Sequence, residues 1–277
     1  MKTLTSKDRP ARTPHRLRFR LLGWPVSLAI LFLAVWLLPV FRLQRFAWAG
    51  ELRSLHAAGI EAASGLTNGQ HLFAGLGGSW DHWLGLRYGT AEEQIAAAFP
   101  VIKSVKVSLD LPGQVVFRIE ERIEVAWLAI PDGCVMIDKD GVAMGIQADR
   151  PGQIPLIEGL TIRSMTLGQA LEADTPDALH RAVGLLGAII EADRDTRPQV
   201  FLLGQVSQIR PVSGRLLYMT LVVPDTGEAI SVRAEIGPEL TEHMLWLRFA
   251  IDQDVLNGRG KGILDLTGGN RTFIPDA

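Results

Sequence analysis

Hydrophobic and polar positions alternate on both sides of Glu121. The apolar members of this row are Val115, Phe117, Ile119, Ile123, Val125 and Trp127. Such alternation predicts a β-strand with one buried face. Because a lone carboxylate on that face would be costly, we interpret residues 115–119 and 123–130 as two strands. Glu121 and Arg122 lie at the predicted joint between them, where the carboxylate either stays hydrated or pairs with an arginine such as Arg122 or Arg118.

The residues before this joint predict a small unit with the order strand, helix, helix, strand, strand. Thr90-Ala91-Glu92-Glu93 is typical of a capping box, in which Thr90 and Glu93 satisfy backbone amides at the start of a helix. The glycine-rich residues 74–89 have no periodicity, so they are predicted to be a loop with aromatic plugs. The predicted strands are 44–49, 105–109 and 115–119, and the predicted helices are 54–63 and 90–99.

The residues after the joint predict a second unit that contains strands and two helices. Thr175 and Pro176 are suited to the start of a helix, and apolar residues follow at the spacing of one buried stripe. A final short strand is predicted at 262–266, and Gly268-Gly269-Asn270 is predicted to begin a free tail. The other predicted strands are 123–130, 135–137, 200–209, 215–223 and 228–235, and the last helix is 238–254. The predicted fold class is therefore α+β, with an antiparallel sheet in the second unit.

A long apolar run near the N-terminus changes this picture. Residues 21–41 contain no charged residue, and a helix of that length spans about 30 Å, the thickness of a bilayer core. Residues 1–20 hold seven Lys or Arg and one acid, so the positive-inside rule predicts a cytoplasmic N-terminus and an extracytoplasmic 42–277. A cleaved signal peptide is the alternative, because Ala47-Trp48-Ala49 resembles a cleavage site. The apolar run is longer than signal peptides use, which favours an uncleaved anchor.

Composition and spacing give no catalytic or metal-binding pattern. Hydrophobic residues make up 47% of the chain and the net charge is −2, so a packed core is expected and nucleic-acid binding is not. The single cysteine, Cys134, excludes an internal disulfide and is predicted to be a buried thiol. No two histidines are closely spaced, and Asp138-Lys139-Asp140-Gly141 fits a β-turn better than a calcium loop. We therefore predict no enzymatic activity, no metal and no cofactor.

Five motifs in a fixed order resemble those of the bacterial cell-division proteins called FtsQ, or DivIB in Gram-positive species. The resemblance covers about residues 21–270, and the final 262–267 segment is similar to the family's terminal strand, with Thr267 in place of an arginine. The family usually has proline where this chain has Glu124, and residues 74–89 look like an insertion. The five motifs are residues 64–73, 99–107, 121–126, 136–142 and 154–159.

The resemblance implies a division of the chain into five segments. They are a cytoplasmic basic tail at 1–20, a transmembrane helix at 21–41, a POTRA domain of β-α-α-β-β order at 42–120, an FtsQ/DivIB-like β domain at 121–260, and a terminal strand and tail at 261–277. The implied function is that of a non-enzymatic, single-pass scaffold of the division machinery in the plasma membrane, expected at the septum.

The resemblance also implies the partners, which are bitopic division proteins of the FtsB/DivIC and FtsL types. A late, short strand at a sheet edge leaves backbone groups that a partner strand can complete. We therefore predict that residues 260–274 form such an edge and that the partner binds there. The predicted contact residues are Ile263, Leu264, Asp265, Leu266 and Thr267. The alternative is that this strand closes its own sheet and the partner binds elsewhere.

Two other functions compete with the division scaffold. One is a POTRA protein of outer-membrane assembly or secretion, but such chains continue into a membrane barrel. The other is a membrane-tethered envelope enzyme, and the lack of paired catalytic residues argues against it.

Overall fold

The computed structural model describes residues 15–150, 154–194 and 200–276. Most of the predicted cytoplasmic tail, residues 1–20, lies outside them. The chain is mixed α+β, as its sequence predicts. The helices are α1 (His15–Leu37), α2 (Ala57–Ala63), α3 (Trp80–Leu84), α4 (Gly89–Ala98), α5 (Pro176–Arg194), α6 (Leu202–Gln205) and α7 (Leu240–Asp252).

The strands form three sheets in the described part of the chain. Their bounds are β1 (Arg45–Ala49), β2 (Ile102–Asp110), β3 (Gln114–Glu121), β4 (Glu124–Ile130), β5 (Gly133–Asp138), β6 (Ala143–Gln147), β7 (Leu156–Ile157), β8 (Ile162–Ser164), β9 (Glu172–Ala173), β10 (Val206–Pro211), β11 (Leu216–Val222), β12 (Ala229–Glu235), β13 (Gly262–Asp265) and β14 (Thr272–Pro275). The sheet orders are β1-β3-β2, then β14-β13-β12-β11-β10-β7-β4-β5-β6, and β8-β9.

The large sheet is mixed, which corrects the prediction of an antiparallel sheet. The two-residue strand β7 lies parallel to both β4 and β10, and β13 lies parallel to β12. A parallel neighbour needs a crossover connection, and here α7 lies between β12 and β13 in the chain. The sequence pattern of each strand does not contain the direction of its neighbour, so the mixed character was not predicted.

The chain divides into two compact units that interleave along the sequence. The first contains the described part of Met1–Glu51, with Glu61–Glu92 and Lys106–Arg118, and the second contains Leu52–Ile60, Glu93–Val105 and the described part of Ile119–Ala277. The domain boundaries predicted at 41/42, 120/121 and 260/261 stay predictions.

Aromatic packing organises the core of the first unit. Phe117 is buried, and its ring centroid lies 4.9 Å from that of Trp48 and 5.5 Å from that of Phe46. These contacts follow from the parallel pairing of β1 with β3, which sets Trp48 opposite Phe117. The buried Tyr88 hydroxyl donates to the Leu72 carbonyl, and burial raises the pKa of Tyr88 to about 12.

The core of the second unit lies between the large sheet and two helices. The predicted buried stripe of α5 is confirmed at Leu179, Ala182, Leu186 and Ile189, which all belong to the core cluster. Burial of such a stripe is the main source of helix stability in proteins. Cys134 is buried, as predicted.

The N-terminal helix α1 and a 3₁₀ turn at Pro39–Phe41 cover the predicted membrane span, residues 21–41. Within the described ranges, we find no helix that combines the length and the apolar content required to cross a membrane.

Two predictions about the first unit need correction. The predicted loop at 74–89 contains the short helix α3, and no residue of α3 is buried. The helix predicted to be capped by Thr90 begins at Gly89 instead, so Thr90 lies inside it. The buried carboxylate of this segment is that of Glu92, whereas the sequence pattern assigned the structural role to Glu93.

Candidate functional site

Three of the five predicted contact residues lie in β13, the strand next to the edge of the large sheet, and Leu266 and Thr267 follow it directly. Ile263, Leu264 and Asp265 pair with β12 on one side and with β14 on the other. The Leu266 amide continues the first pairing, donating to the Arg233 carbonyl over 2.8 Å. The structure therefore differs from the predicted arrangement, because Thr272–Pro275 forms the edge strand. Whether a partner binds at this end of the sheet stays a prediction.

The side chains of the five predicted residues have mostly structural surroundings. Leu264 and Leu266 are buried in the core cluster, because they point to the helix-covered face. The Asp265 carboxylate accepts hydrogen bonds from the Thr267 amide over 3.0 Å and hydroxyl over 2.7 Å. Burial raises the pKa of Asp265, but these hydrogen bonds and the Arg233 guanidinium have a larger, opposite effect. The net shift of the pKa is therefore downward. Asp265 and Thr267 thus fix the end of β13.

The edge strand β14 was missed because its sequence resembles a tail. Gly268-Gly269-Asn270 is typical of the start of a free end, but it lies in the connection between β13 and β14. The four residues Thr272–Pro275 are too few to give a periodic signal, and proline is disfavoured inside sheets. Two features could have indicated the strand: the β-propensity of Thr-Phe-Ile, and the tolerance of edge strands for proline.

The backbone of β14 exposes a short hydrogen-bonding edge. Hydrogen-bonded and non-hydrogen-bonded pairs alternate in antiparallel strands. The Asp276 amide donates to the Lys261 carbonyl over 3.0 Å, so Ile274 and Thr272 also point their backbone groups towards β13. The Phe273 amide and carbonyl then point outward, as does the Pro275 carbonyl. In the described residues, no further strand lies beyond β14.

Side chains on the neighbouring helix and loops hold β14 in place. Phe273 is half-buried against the core, and the Arg259 guanidinium lies 5.9 Å from its ring centroid. Arg271 lies 5.0 Å from the ring centroid of Trp246 on α7 and 3.5 Å from the Glu242 carboxylate. Cation–π contacts of this kind contribute about 0.5–1 kcal/mol at exposed sites. The edge is therefore a fixed strand.

The opposite edge of the same sheet is covered in part. The Ala143 amide of β6 donates to the Gln169 carbonyl over 3.0 Å, and the Gly168 amide donates to the Ala143 carbonyl over 2.8 Å. The connection before β9 thus satisfies the backbone at the start of this edge strand. The two edges differ in their availability to another strand.

Glu121 binds backbone amides, and its partner is not the arginine considered from the sequence. Its carboxylate accepts hydrogen bonds from the amides of Arg53 over 2.8 Å and Ser54 over 2.9 Å, and from the Ser54 hydroxyl. Burial raises the pKa of Glu121, but the bonds from Ser54, Arg53 and Leu55 outweigh this effect and lower it. The role of Glu121 and Arg122 as a domain joint stays a prediction.

Arg122 pairs with a carboxylate further along the chain. Its guanidinium donates to Asp138 over 2.7 Å, and Asp138 also accepts from the amides of Asp140 and Val142, each over 2.9 Å. The Asp138–Gly141 segment that resembled a calcium loop is therefore a turn held by its own carboxylate. Among the described residues, no three His, Cys, Asp or Glu side chains lie close enough to hold a metal ion.

Comparison with solved structures finds a likeness in fold. No family model and no curated protein matches the chain. The fold is similar to the major extracytoplasmic domain of the trans isomer of the bacterial cell division protein DivIB from Geobacillus stearothermophilus, with 15% sequence identity and a TM-score of 0.32. The match covers 49% of this chain and 97% of that chain.

Proposed function

We propose that this chain is a non-enzymatic, single-pass scaffold of the bacterial division machinery, with residues 42–277 outside the cytoplasm. The five motifs that resemble FtsQ and DivIB support this proposal. The observation that carries it is the open edge of the large sheet at β14, beside the strand that contains the predicted contact residues.

The membrane anchor of this proposal is the segment 21–41. Its support is the uncharged sequence, the basic residues that precede it, and the exposure of large apolar side chains such as Trp24, Phe32 and Trp36. A sequence of 21 residues without a charge favours an apolar environment. A plasma membrane location with the N-terminus in the cytoplasm follows from the distribution of charge.

The proposed partner is a bitopic protein of the FtsB/DivIC type, with an FtsL-type protein nearby. Such a partner would add a strand to β14 by bonding to the outward amide and carbonyl of Phe273 and to the Pro275 carbonyl. Because the edge is only four residues long and contains a proline, unspecific pairing is limited. Side chains of the partner would then flank the exposed Ile274 and supply specificity.

A matched pair of substitutions tests the proposed partner site. Ile274 on β14 is 50% exposed and Ile146 on β6 is 49% exposed, and they lie on opposite edges of one sheet. Lysine on an edge strand opposes pairing with another strand. We expect Ile274→Lys to reduce co-purification of the FtsB/DivIC-type partner with the full chain by roughly tenfold or more, and Ile146→Lys to leave it unchanged. Equal retention of the partner by both variants would contradict the proposed site.

Localisation tests the role in division separately from the site. A fluorescent fusion of the full chain should gather at midcell before constriction, and depletion should give filamentous, undivided cells. A uniform envelope signal together with normal septa would contradict a role in division.

A further inference from the structure

The short helix α3 presents its apolar side chains to the outside. Trp80 is 80% exposed and Trp83 is 58% exposed, and Leu84 is exposed as well. The sequence predicted that these aromatic residues would plug a loop, so this is a correction. Large exposed side chains that lie close together are uncommon on soluble proteins and indicate a surface that another phase or molecule covers.

Backbone hydrogen bonds hold this segment in one conformation. The Gly77 amide donates to the Arg87 carbonyl over 2.9 Å, and the Gly89 amide donates to the Gly77 carbonyl over 2.7 Å. A side chain at Gly89 would lie 2.7 Å from the Gly77 oxygen, which explains the glycine there. The Leu109 amide of β2 donates to the Leu86 carbonyl over 2.8 Å, so both ends of the segment are attached to the unit.

Polar side chains complete this support. Ser79 caps α3 by accepting a hydrogen bond from the His82 amide, and its hydroxyl lies 2.7 Å from His82 Nδ1. His82 Nε2 lies 3.4 Å from the Glu92 carboxylate, which also pairs with Arg87. A helix of five residues has little stability of its own. The exposure of Trp80 and Trp83 is therefore maintained by a polar network that ends at the buried Glu92 carboxylate.

Contacts within the first unit lead from the end of α1 towards this segment. Trp36 stacks on His71 with centroids 4.4 Å apart, and His71 lies 5.6 Å from Phe73. The Leu76 amide then donates to the Phe73 carbonyl over 3.4 Å. The position of a side chain at Gly77 would be 3.6 Å from the Trp83 ring. Leu76 lines the same surface cavity as Trp80 and Trp83, so these contacts reach from the end of α1 to α3.

We propose that Trp80, Trp83 and Leu84 form a second membrane contact, lying in the interfacial layer of the bilayer in which α1 is anchored. This inference rests on the proposed anchor at 21–41. Tryptophan favours that layer because its ring is apolar and its indole N–H can bond to water or head groups. Side chains in this position reach about 5–10 Å into the boundary between head groups and acyl chains. The contact would hold α3 close to the membrane surface.

Quenching by lipid tests this contact with the full chain. The chain is reconstituted into phosphatidylcholine–phosphatidylglycerol vesicles whose acyl chains carry bromine near the head group or near the chain end. Bromine quenches nearby tryptophan, so bromine near the head group should quench Trp80 and Trp83 more strongly than bromine near the chain end. The double variant Trp80→Phe, Trp83→Phe should therefore lose that part of the quenched emission. Trp127→Phe is the matched control, because Trp127 is buried and its loss should leave the quenched emission unchanged.

Flotation of the vesicles separates the two proposals. If the chain floats with the lipid but the double variant retains all of the shallow quenching, the anchor stands and the second contact is overturned. If the chain does not float, both are overturned. If Trp80 and Trp83 escape lipid quenching and change emission only when the FtsB/DivIC-type partner is added, the surface binds protein and the lipid contact is again overturned.

Discussion

Each unit has a buried carboxylate that pairs with an arginine, and the two pairs differ in how far the arginine is buried. In the first unit, Glu92 accepts from Arg87 and from the Val107 amide over 2.8 Å. In the second unit, Asp138 accepts from Arg122 and from two backbone amides. The Arg122 side chain is 13% exposed and the Arg87 side chain is 28% exposed. Both carboxylates are buried, so a difference in unfolding free energy between their amide variants would come from the arginine that is left without its partner.

Glu120 and Glu121 extend the same comparison to neighbouring positions. Glu120 pairs with Lys103 over 2.6 Å at the surface, whereas Glu121 accepts from the backbone of another chain segment. Replacing each of the four carboxylates by its amide keeps the shape and removes the charge. The four variants can therefore be ranked by their loss of unfolding free energy. The series runs from the most buried pair, at Asp138, through the pair at Glu92 and the amide-bound Glu121 to the surface pair at Glu120.

The largest effect is expected for Asp138→Asn. An asparagine oxygen can still accept from the Asp140 and Val142 amides, but its NH₂ group would face Arg122 and leave a buried charge without a partner. Breaking such a pair costs about 3–5 kcal/mol, measured as the free energy of unfolding in urea. Adding Arg122→Met should recover part of the loss, because it removes the stranded charge. No recovery in the double variant would contradict this reason.

Glu92→Gln should cost less, about 2 kcal/mol of unfolding free energy, although Arg87 makes two hydrogen bonds to Glu92. The more exposed Arg87 can be hydrated once its charge is no longer neutralised. Urea unfolding of both amide variants under one set of conditions measures the difference. If Glu92→Gln and Asp138→Asn lowered the unfolding free energy equally, the exposure of the arginine would not determine the size of the loss. Because Glu92 also supports α3, the variant should increase hydrogen exchange in residues 76–88.

Glu121→Gln should cost about 1 kcal/mol at neutral pH, because the hydrogen bonds to Ser54 and Arg53 favour the charged form. The fold lowers the pKa of Glu121 below its usual value of 4.5. Its stabilisation is therefore complete above that value and is lost as the pH falls through the lowered pKa. The difference in unfolding free energy between wild type and variant should shrink on acidification. A difference that grows towards low pH would show the opposite shift.

Glu120→Gln is the smallest change in the series and serves as the control for Glu121→Gln. The Lys103 side chain beside it is exposed, and hydrogen bonding to Lys103 lowers the pKa of Glu120. Exposed pairs contribute little, because water screens them and ordering two long side chains has an entropic cost. We expect no resolvable change in unfolding free energy, and a clear loss would show that this part of the surface is screened less than its exposure indicates.

Local patterns in the sequence were sufficient for most of the long elements. The strand predicted at 200–209 is an exception, because helix α6 (Leu202–Gln205) precedes β10, which begins at Val206. The cap and stripe after Thr175 predicted α5 over residues that the structure makes helical from Pro176, and alternation predicted β11 and β12 within a residue of their ends. Short elements were lost. The strand β7 has two residues and β14 has four, so neither contains a full period of any pattern.

The candidate site shows the same limit. The sequence identified the segment around Ile263 as a strand, but it could not show that a later strand would pair with it. It marked Glu121 as an anomaly in a row of apolar residues, yet the amides that bind it belong to residues 53–54, far away in the chain. In the capping motif it favoured Glu93, because the role of Glu92 depends on Arg87 and Val107, which no spacing rule connects.

The sequence by itself determined the α+β class, the long helices and central strands, the buried thiol and the apolar N-terminal segment, since each depends on neighbours within a few positions. Tertiary structure alone decided which strand forms the edge of the large sheet, which carboxylate meets which donor, and that Trp80 and Trp83 face outward. Those outcomes depend on contacts between residues distant in the chain. Their free energy comes from burial and pairing that no local window of sequence contains.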